Sequence, residues 1–353
     1  MAGLHIKNIR MTEGPVWSSV IRYSLPIAFG SILQILFNSA DLAVVGNFSE
    51  HRTAAAAAVS AAAAFISLIV NLFMGLSVGV NVVLARSIGS GKRDRSFRIV
   101  HSAIALAILA GGLVGIVGIS LSKLAIGWMN CPEEAYDMAV RYMIIYFAGA
   151  PGMLIYNFGA AILRTKGDTQ RPLNFLIVAG VLNVLLNLLF VIVFRMNAAG
   201  VALATTLTQY LAAALTVRCL VLQTDETRLF IKDIRLHWQE TYHIIKYGLP
   251  AGMTSAMFSI ANIQISAQIN TFGSAAINGS GAVGNLEGYV SSFTNALNAA
   301  VVAFAGQNIG AGRPDRVKKS FIACLVVSVS VSFALGNLMY LFGAAILRTK
   351  GDT

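Results

Sequence analysis

Asp41 and Glu287 are the two carboxylates of this 353-residue chain that fall inside long runs otherwise free of charge. An ionisable side chain in such a run is costly if the run crosses a membrane, and by default it marks an ion or substrate path. Removal from water disfavours an ionised carboxylate unless a cation compensates. Each is therefore a candidate exchange site for H⁺ or Na⁺. A sodium ion would also need neutral oxygens, which Asn183, Asn187, Thr205 and Thr206 can offer from neighbouring segments. Asn183 and Asn187 are four apart and share one helix face; taken alone, they read equally as polar contacts between helices. Asp41 has an alternative as an interfacial carboxylate reaching headgroup water. Glu287 lies in Gly284-Asn285-Leu286-Glu287-Gly288-Tyr289, where small residues allow close helix approach, and its alternative is a structural hydrogen bond.

Other chemistry is poorly supported. The three cysteines, Cys131, Cys219 and Cys324, have neither pairing nor metal-ligand spacing. His101, alone in its run, reads as a packing residue. The pairs Gly89, Gly91 and Gly310, Gly312 lack the strand before and the GKS or GKT after that a phosphate loop requires, so they read as helix-ending turns. No nucleophile stands near a base. The chain is not expected to be an enzyme, to carry a cofactor, or to hold a metal other than Na⁺.

The elements that must position these residues follow from composition. Hydrophobic residues make up 56% of the chain and charged residues 12%, against about a quarter charged in an ordinary soluble domain. No charge occurs between Arg52 and Arg86, or between Lys319 and Arg348. Each run exceeds the roughly 20 apolar residues that cross a bilayer core. Nine spans are expected, near 22 to 46, 54 to 85, 99 to 122, 142 to 163, 172 to 194, 196 to 217, 247 to 271, 279 to 307 and 320 to 345. Backbone polar groups in hydrocarbon must be satisfied within a segment, so all nine should be helices, giving an all-α polytopic membrane protein. The second is long enough that it must tilt or project into water. Pro26, Pro151 and Pro250 each permit a kink, and Pro26 is a candidate hinge.

The first twenty residues include Lys7, Arg10 and Glu13 and lack an apolar core, so no cleavable signal is expected and the first span acts as an anchor. With the N-terminus in the cytoplasm, Lys and Arg divide into twenty cytoplasmic, four external and two at the C-terminal end. The cytoplasmic set includes Arg86, Lys92, Arg93, Arg95, Arg98, Arg164, Lys166, Arg171, Arg313, Arg316, Lys318 and Lys319. That asymmetry predicts a multi-pass protein of the cytoplasmic (inner) membrane. The net charge of +11 is thus spread over separate loops, and nucleic acid is not an expected partner.

The chain is also duplicated. Tyr23-Ser24-Leu25-Pro26 returns as Tyr247-Gly248-Leu249-Pro250 at an offset of 224, and Ile88 to Arg95 returns as Ile309 to Arg316 at an offset of 221. The second copy begins after six spans, so the repeats are parallel, and two packed halves suit a transporter. The expected division is an N-lobe of six helices over 1 to 222, a cytoplasmic linker over 223 to 240, and an incomplete C-lobe of about three helices over 241 to 353. Phe158 to Thr169 recurs unchanged as Phe342 to Thr353 at an offset of 184, out of register with the older duplication, so 342 to 353 is an anomalous tail.

Several strings together resemble the multidrug and toxic compound extrusion (MATE) family. They are Asn38-Ser39-Ala40-Asp41 with Gly46, Leu163 to Thr169 with Pro172, Asn183 and Asn187, Gly200 to Thr205, Gly248-Leu249-Pro250, and Gln307 to Gly312. The resemblance implies a two-lobe antiporter of twelve helices that exports organic cations and other amphipathic drugs in exchange for Na⁺ or H⁺. It places the N-lobe cation site on Asp41, Asn183, Asn187 and Thr205. Some members carry Asp where this chain has Asn187, so one fixed negative charge is lost. The acidic residue that some members carry in the seventh helix is missing, and Glu287 is the candidate to replace it as a second ion or substrate site. Gln34, Asn38, Asn157, Gln264 and Asn295 are candidate substrate contacts. The expected partners are membrane lipids and a small organic substrate, and the expected state is a monomer. Two alternatives stand: a lipid-linked oligosaccharide flippase, which should line its cavity with Arg and Lys, and an inactive truncated fragment.

Overall fold

The computed structural model describes residues 9 to 351 apart from 50, 130 and 273. Among the described residues the chain is helical and contains no strand. The helices are α1 (Val16–Phe48), α2 (Arg52–Gly89), α3 (Arg93–Trp128), α4 (Glu133–Ala148), α5 (Ala150–Thr165), α6 (Gln170–Leu188), α7 (Asn197–Val221), α8 (Trp238–Ile269), α9 (Ser274–Gly310) and α10 (Pro314–Gly351). A π-helical turn, Leu189–Val193, extends α6. Large apolar side chains such as Leu109, Leu113 and Ile116 on α3 and Val181 and Leu185 on α6 point outward, while Asn81, Thr165, Asn183, Asn187 and Asn308 are buried. Lipid-facing apolar surface with polar contacts between helices is the arrangement a bilayer favours.

Prolines mark the starts. Pro15 and Pro132 precede α1 and α4, Pro314 opens α10, and Pro151 and Pro172 lie in the first turns of α5 and α6. There the missing N–H costs no helical hydrogen bond. Pro151 also corrects the expected fourth span: residues 142 to 163 are not one helix but the end of α4 and most of α5, bent by 45° at Gly149. With that pair taken as one crossing, seven segments among the described residues are long and apolar enough to span a membrane. They match the first six expected spans and the ninth. The other two expected spans fall in α8 and α9. Pro26 and Pro250 lie inside α1 and α8, both continuous helices. The anomalous tail, 342 to 353, falls entirely outside the residues whose side chains are described.

The duplication is visible in backbone geometry. α2 ends through Gly91 and α9 ends through Gly312, both at φ +67°. Lys92 N–H donates to Ser87 O at 3.2 Å and Arg313 N–H to Asn308 O at 2.9 Å, the six-residue closure of a left-handed helix stop. Glycine suits both positions because φ is positive, which bears out the reading as turns.

Among the described residues two large apolar cores hold the bundle, with a small third around Tyr156, Ala160, Ala179 and Ala212. One gathers α2, α3, α4, α5 and α7 around residues such as Val83, Ile104, Phe147 and Leu154, with Val44 and Val45 from the far end of α1. The other joins the near end of α1, through Val20, Tyr23 and Ile27, to Leu297 and Phe304 of α9 and Cys324 of α10. Tyr23 and Phe304 meet edge to face at 5.6 Å. Between the repeats, α2 runs so close to α8 that a Cβ on Gly75 would lie 2.1 Å from the Gly252 nitrogen, and so close to α9 that one on Gly89 would lie 2.0 Å from the Gln307 carbonyl oxygen. The repeats are therefore closed on each other toward the end that carries the basic turns.

A strap reinforces that closure. Ile9 N–H donates to Gly167 O at 3.3 Å. From the other repeat, Asn308 Nδ2 donates to Met11 O at 3.2 Å, Arg313 Nη1 to Thr12 O at 2.7 Å, and Arg316 Nη1 to Gly14 O at 3.1 Å. Gln307 Nε2 crosses directly to Thr165 O at 2.6 Å. Residues 223 to 240 are likewise packed down. His101 accepts the Phe230 N–H on Nε2 at 3.0 Å, Glu240 meets Arg95 at 3.2 Å, and Lys166 holds Gln223 at 2.8 Å and pairs with Asp225. His101 is thus a packing residue, as expected.

Two measurements test this packing. Gly75→Val should destabilise the bundle by about 1–3 kcal/mol, seen as a lower melting temperature in detergent; unchanged melting would contradict the α2–α8 approach. Partial burial works against ionisation of Asp225, but its hydrogen bonds from Lys166 and Thr227 outweigh burial and hold the carboxyl below its ordinary range. A carboxyl depressed on folding adds stability above its unfolded value, about pH 4, and that stability is lost as pH falls through the folded value. Asp225→Asn should then lower the melting temperature at pH 7 and leave it unaltered at about pH 2; equal losses at both would exclude the linkage.

Candidate functional site

A cavity of about 430 Å³ lies within the first repeat, walled by α1, α2, α4, α5, α6 and α7. Its most polar wall is where α1, α6 and α7 meet. Asn187 Nδ2 donates to Asp41 Oδ1 at 2.5 Å and to Asn183 Oδ1 at 3.1 Å, and Asn183 Nδ2 donates to Thr205 Oγ1 at 3.3 Å. The four residues assigned to the cation site by resemblance therefore form one hydrogen-bonded chain. Asp41 is 9% exposed, Asn183 5% and Asn187 0%.

Sequence explains the geometry. Asn183 and Asn187 stack one turn apart on α6, so one donor reaches both its neighbour and the facing carboxylate. An isolated carboxylate in such a setting would be expensive, and two amides relieve that cost. The Asn187 Oδ1 is buried and accepts no hydrogen bond. Together with the Asp41 carboxylate, Asn183 Oδ1 and Thr205 Oγ1, it makes a set of oxygens suited to a hard cation. A single carboxylate fits a monovalent ion or a proton better than a divalent one. Among the described residues no group of three or more His, Cys, Asp or Glu could hold a metal.

Gln34, Asn38 and Asn157, offered as substrate contacts, line the same cavity. Gln264, Asn295 and Glu287 are exposed on α8 and α9 and are not among its lining residues. The structure does not bring these three to the site, because the cavity is enclosed by the first repeat. Pro26 lines a smaller neighbouring cavity of about 150 Å³. Thr206, offered as another oxygen, instead donates to Ile145 O at 2.8 Å, since it sits one position round α7 from Thr205.

Sequence reasoning missed Tyr142, Tyr146, Asn71 and Gln209, all of which line the larger cavity. Helical spacing held the signal: Gln209 lies one turn after Thr205, and Tyr142 and Tyr146 are four apart. Their rings stack at 6.1 Å. Asn71 Nδ2 donates to Ser259 Oγ of α8 at 3.0 Å, linking the cavity wall to the second repeat. Arg164, expected in a cytoplasmic loop, instead occupies the last turn of α5 and lines the smaller cavity.

If Asn187 is the residue that satisfies Asp41, Asn187→Leu should cost about 1–3 kcal/mol by leaving a buried acceptor unpaired. Thermal melting of the purified variant would detect this, and wild-type stability would break the assigned network.

The MatE family model matches residues 26 to 189 and 250 to 353, one match in each repeat. "Probable multidrug resistance protein YpnP" of Bacillus subtilis is 29% identical over 345 residues, covering 97% of this chain and 76% of that protein. An "FAD transporter" of Shewanella oneidensis is 25% identical over 338 residues, covering 94% of this chain and 73% of that protein. An outward-facing structure of a multidrug resistance MATE family transporter superposes with a TM-score of 0.88 at 21% identity, over 96% of this chain and 75% of that one. With both repeats matched and the same helical architecture, the chain belongs to the MatE family of multi-pass membrane transporters.

Proposed function

We propose that this protein is an antiporter that exports an organic amphiphile from the cytoplasm and takes up Na⁺ or H⁺ in exchange. The observation that carries this reading is the chain of hydrogen bonds from Asp41 through Asn187 and Asn183 to Thr205 beside the cavity. Asp41 would hold the coupling ion, with the Asn187, Asn183 and Thr205 oxygens completing its shell when the ion is sodium. The organic substrate would occupy the cavity next to it, against Gln34, Asn38 and Asn157 and the Tyr142–Tyr146 pair. Relatives named for multidrug resistance and for FAD transport support an organic cargo.

Exchange requires that ion and substrate prefer different conformations, since a ligand shifts an equilibrium only by its differential affinity for the states. The α2–α8 approach and the strap close the repeats at the basic end. By the charge asymmetry of the loops, that end faces the cytoplasm in the inner membrane. Closure there with a cavity left between the helices of the first repeat suits a state that has already taken its substrate from inside.

In proteoliposomes with an imposed Na⁺ or H⁺ gradient, the wild type should drive efflux of a fluorescent dye, and Asp41→Asn should cut that efflux to background while leaving the protein folded. Gradient-driven efflux that survives Asp41→Asn at the wild-type rate would remove the role of Asp41.

A further inference from the structure

Arg164 is out of place for a loop residue. It lines the cavity of about 150 Å³ together with Ser31, Gln34, Asn157 and Thr169, and Arg164 is the single charged side chain on that wall. The larger cavity shares Gln34, Met74, Tyr156, Asn157 and Leu176 as lining residues. The two cavities therefore adjoin across a shared wall, and among the described residues that line them Asp41 is the only other charged group. Asp41 is hydrogen-bonded by Asn187. Arg164 is only partly buried, but its Nε is buried without a hydrogen-bond partner, and none of the ion pairs among the described residues includes it.

A guanidinium kept in a membrane-embedded chamber without a carboxylate is costly, and such residues mark what the chamber takes. Its planar fork binds carboxylate or phosphate through two parallel hydrogen bonds. Ile27, Leu173 and Leu176 beside it offer apolar contact for the rest of a ligand. We propose that Arg164 forms an anion subsite, so that the exported amphiphile bears a carboxylate or phosphate group on an apolar body. This deepens the transport reading above and rests on it, by naming the class of cargo.

Equilibrium binding tests the subsite without any ion gradient. The full chain, in nanodiscs of purely zwitterionic lipid, is titrated with a dansyl-labelled alkyl carboxylate and with the matching dansyl-labelled alkyl amine. The wild type should bind the carboxylate at least about tenfold more tightly than the amine, as one charge-assisted pair implies. Arg164→Gln should remove that preference while amine binding holds, and Arg164→Lys should keep part of it. The amine probe and the melting curve certify folding of the variants. Equal affinity of the wild type for both probes, or equal loss of both in Arg164→Gln, would overturn the proposal. So would carboxylate binding that disappears once a fifth of the lipid is anionic, which would assign the subsite to a lipid headgroup. Failure of coupled efflux with probe discrimination intact would instead strike only at the antiport reading.

Discussion

A carboxylate enclosed by apolar helices must find its solvation in the protein, and the contact between Asp41 and Asn187 answers that requirement. It fixes more than a pair of side chains. For one amide to serve both Asp41 and Asn183, α6 must face α1 in a single rotational setting, and Thr205 then aligns α7 against the same strip. A turn of either helix by one residue would bury an unsolvated charge. The chamber's shape follows from that register, because the side chains flanking the strip become its walls.

Contact between the repeats obeys a different rule. Where α2 meets α8 and α9, the surfaces are backbone on backbone, made possible by the absence of side chains at Gly75 and Gly89. Such contact is short-ranged and dense, and it favours a discrete closed arrangement over a graded one. The matching left-handed stops after α2 and α9 give both repeats the same rigid exit toward the next helix. Each repeat therefore brings its own stiff frame to a meeting surface that is nearly smooth.

Much of this is legible in sequence because hydrocarbon restricts the options so severely. Long charge-free runs had to be helices, and the recurrence of Tyr23 to Pro26 and of Ile88 to Arg95 revealed the duplication. Asp41 was conspicuous as a charge where charge is expensive, and resemblance supplied its neighbours. What escaped was direction. Glu287 and Asn295 were offered as site residues by type, yet both are exposed and neither lines the two cavities of the first repeat. Arg164 looked like a loop residue because basic residues cluster at helix ends, and only the bend at Gly149 and the course of α5 reveal that its head reaches back among the helices. Type and spacing carry the period of a helix, whereas its absolute rotation is set by partners far away in the chain.

The strap ahead of α1 has an odd division of labour. Its carbonyls at Met11, Thr12 and Gly14 receive the bonds, while Asn308, Arg313 and Arg316 across the boundary send them. Carbonyls are common to every amino acid, so apart from the buried Met11 side chain and Gly14, whose φ of +72° favours glycine, this stretch is free to change its spelling. It is not free to change its length: dropping or adding a single residue would slide each acceptor past its donor.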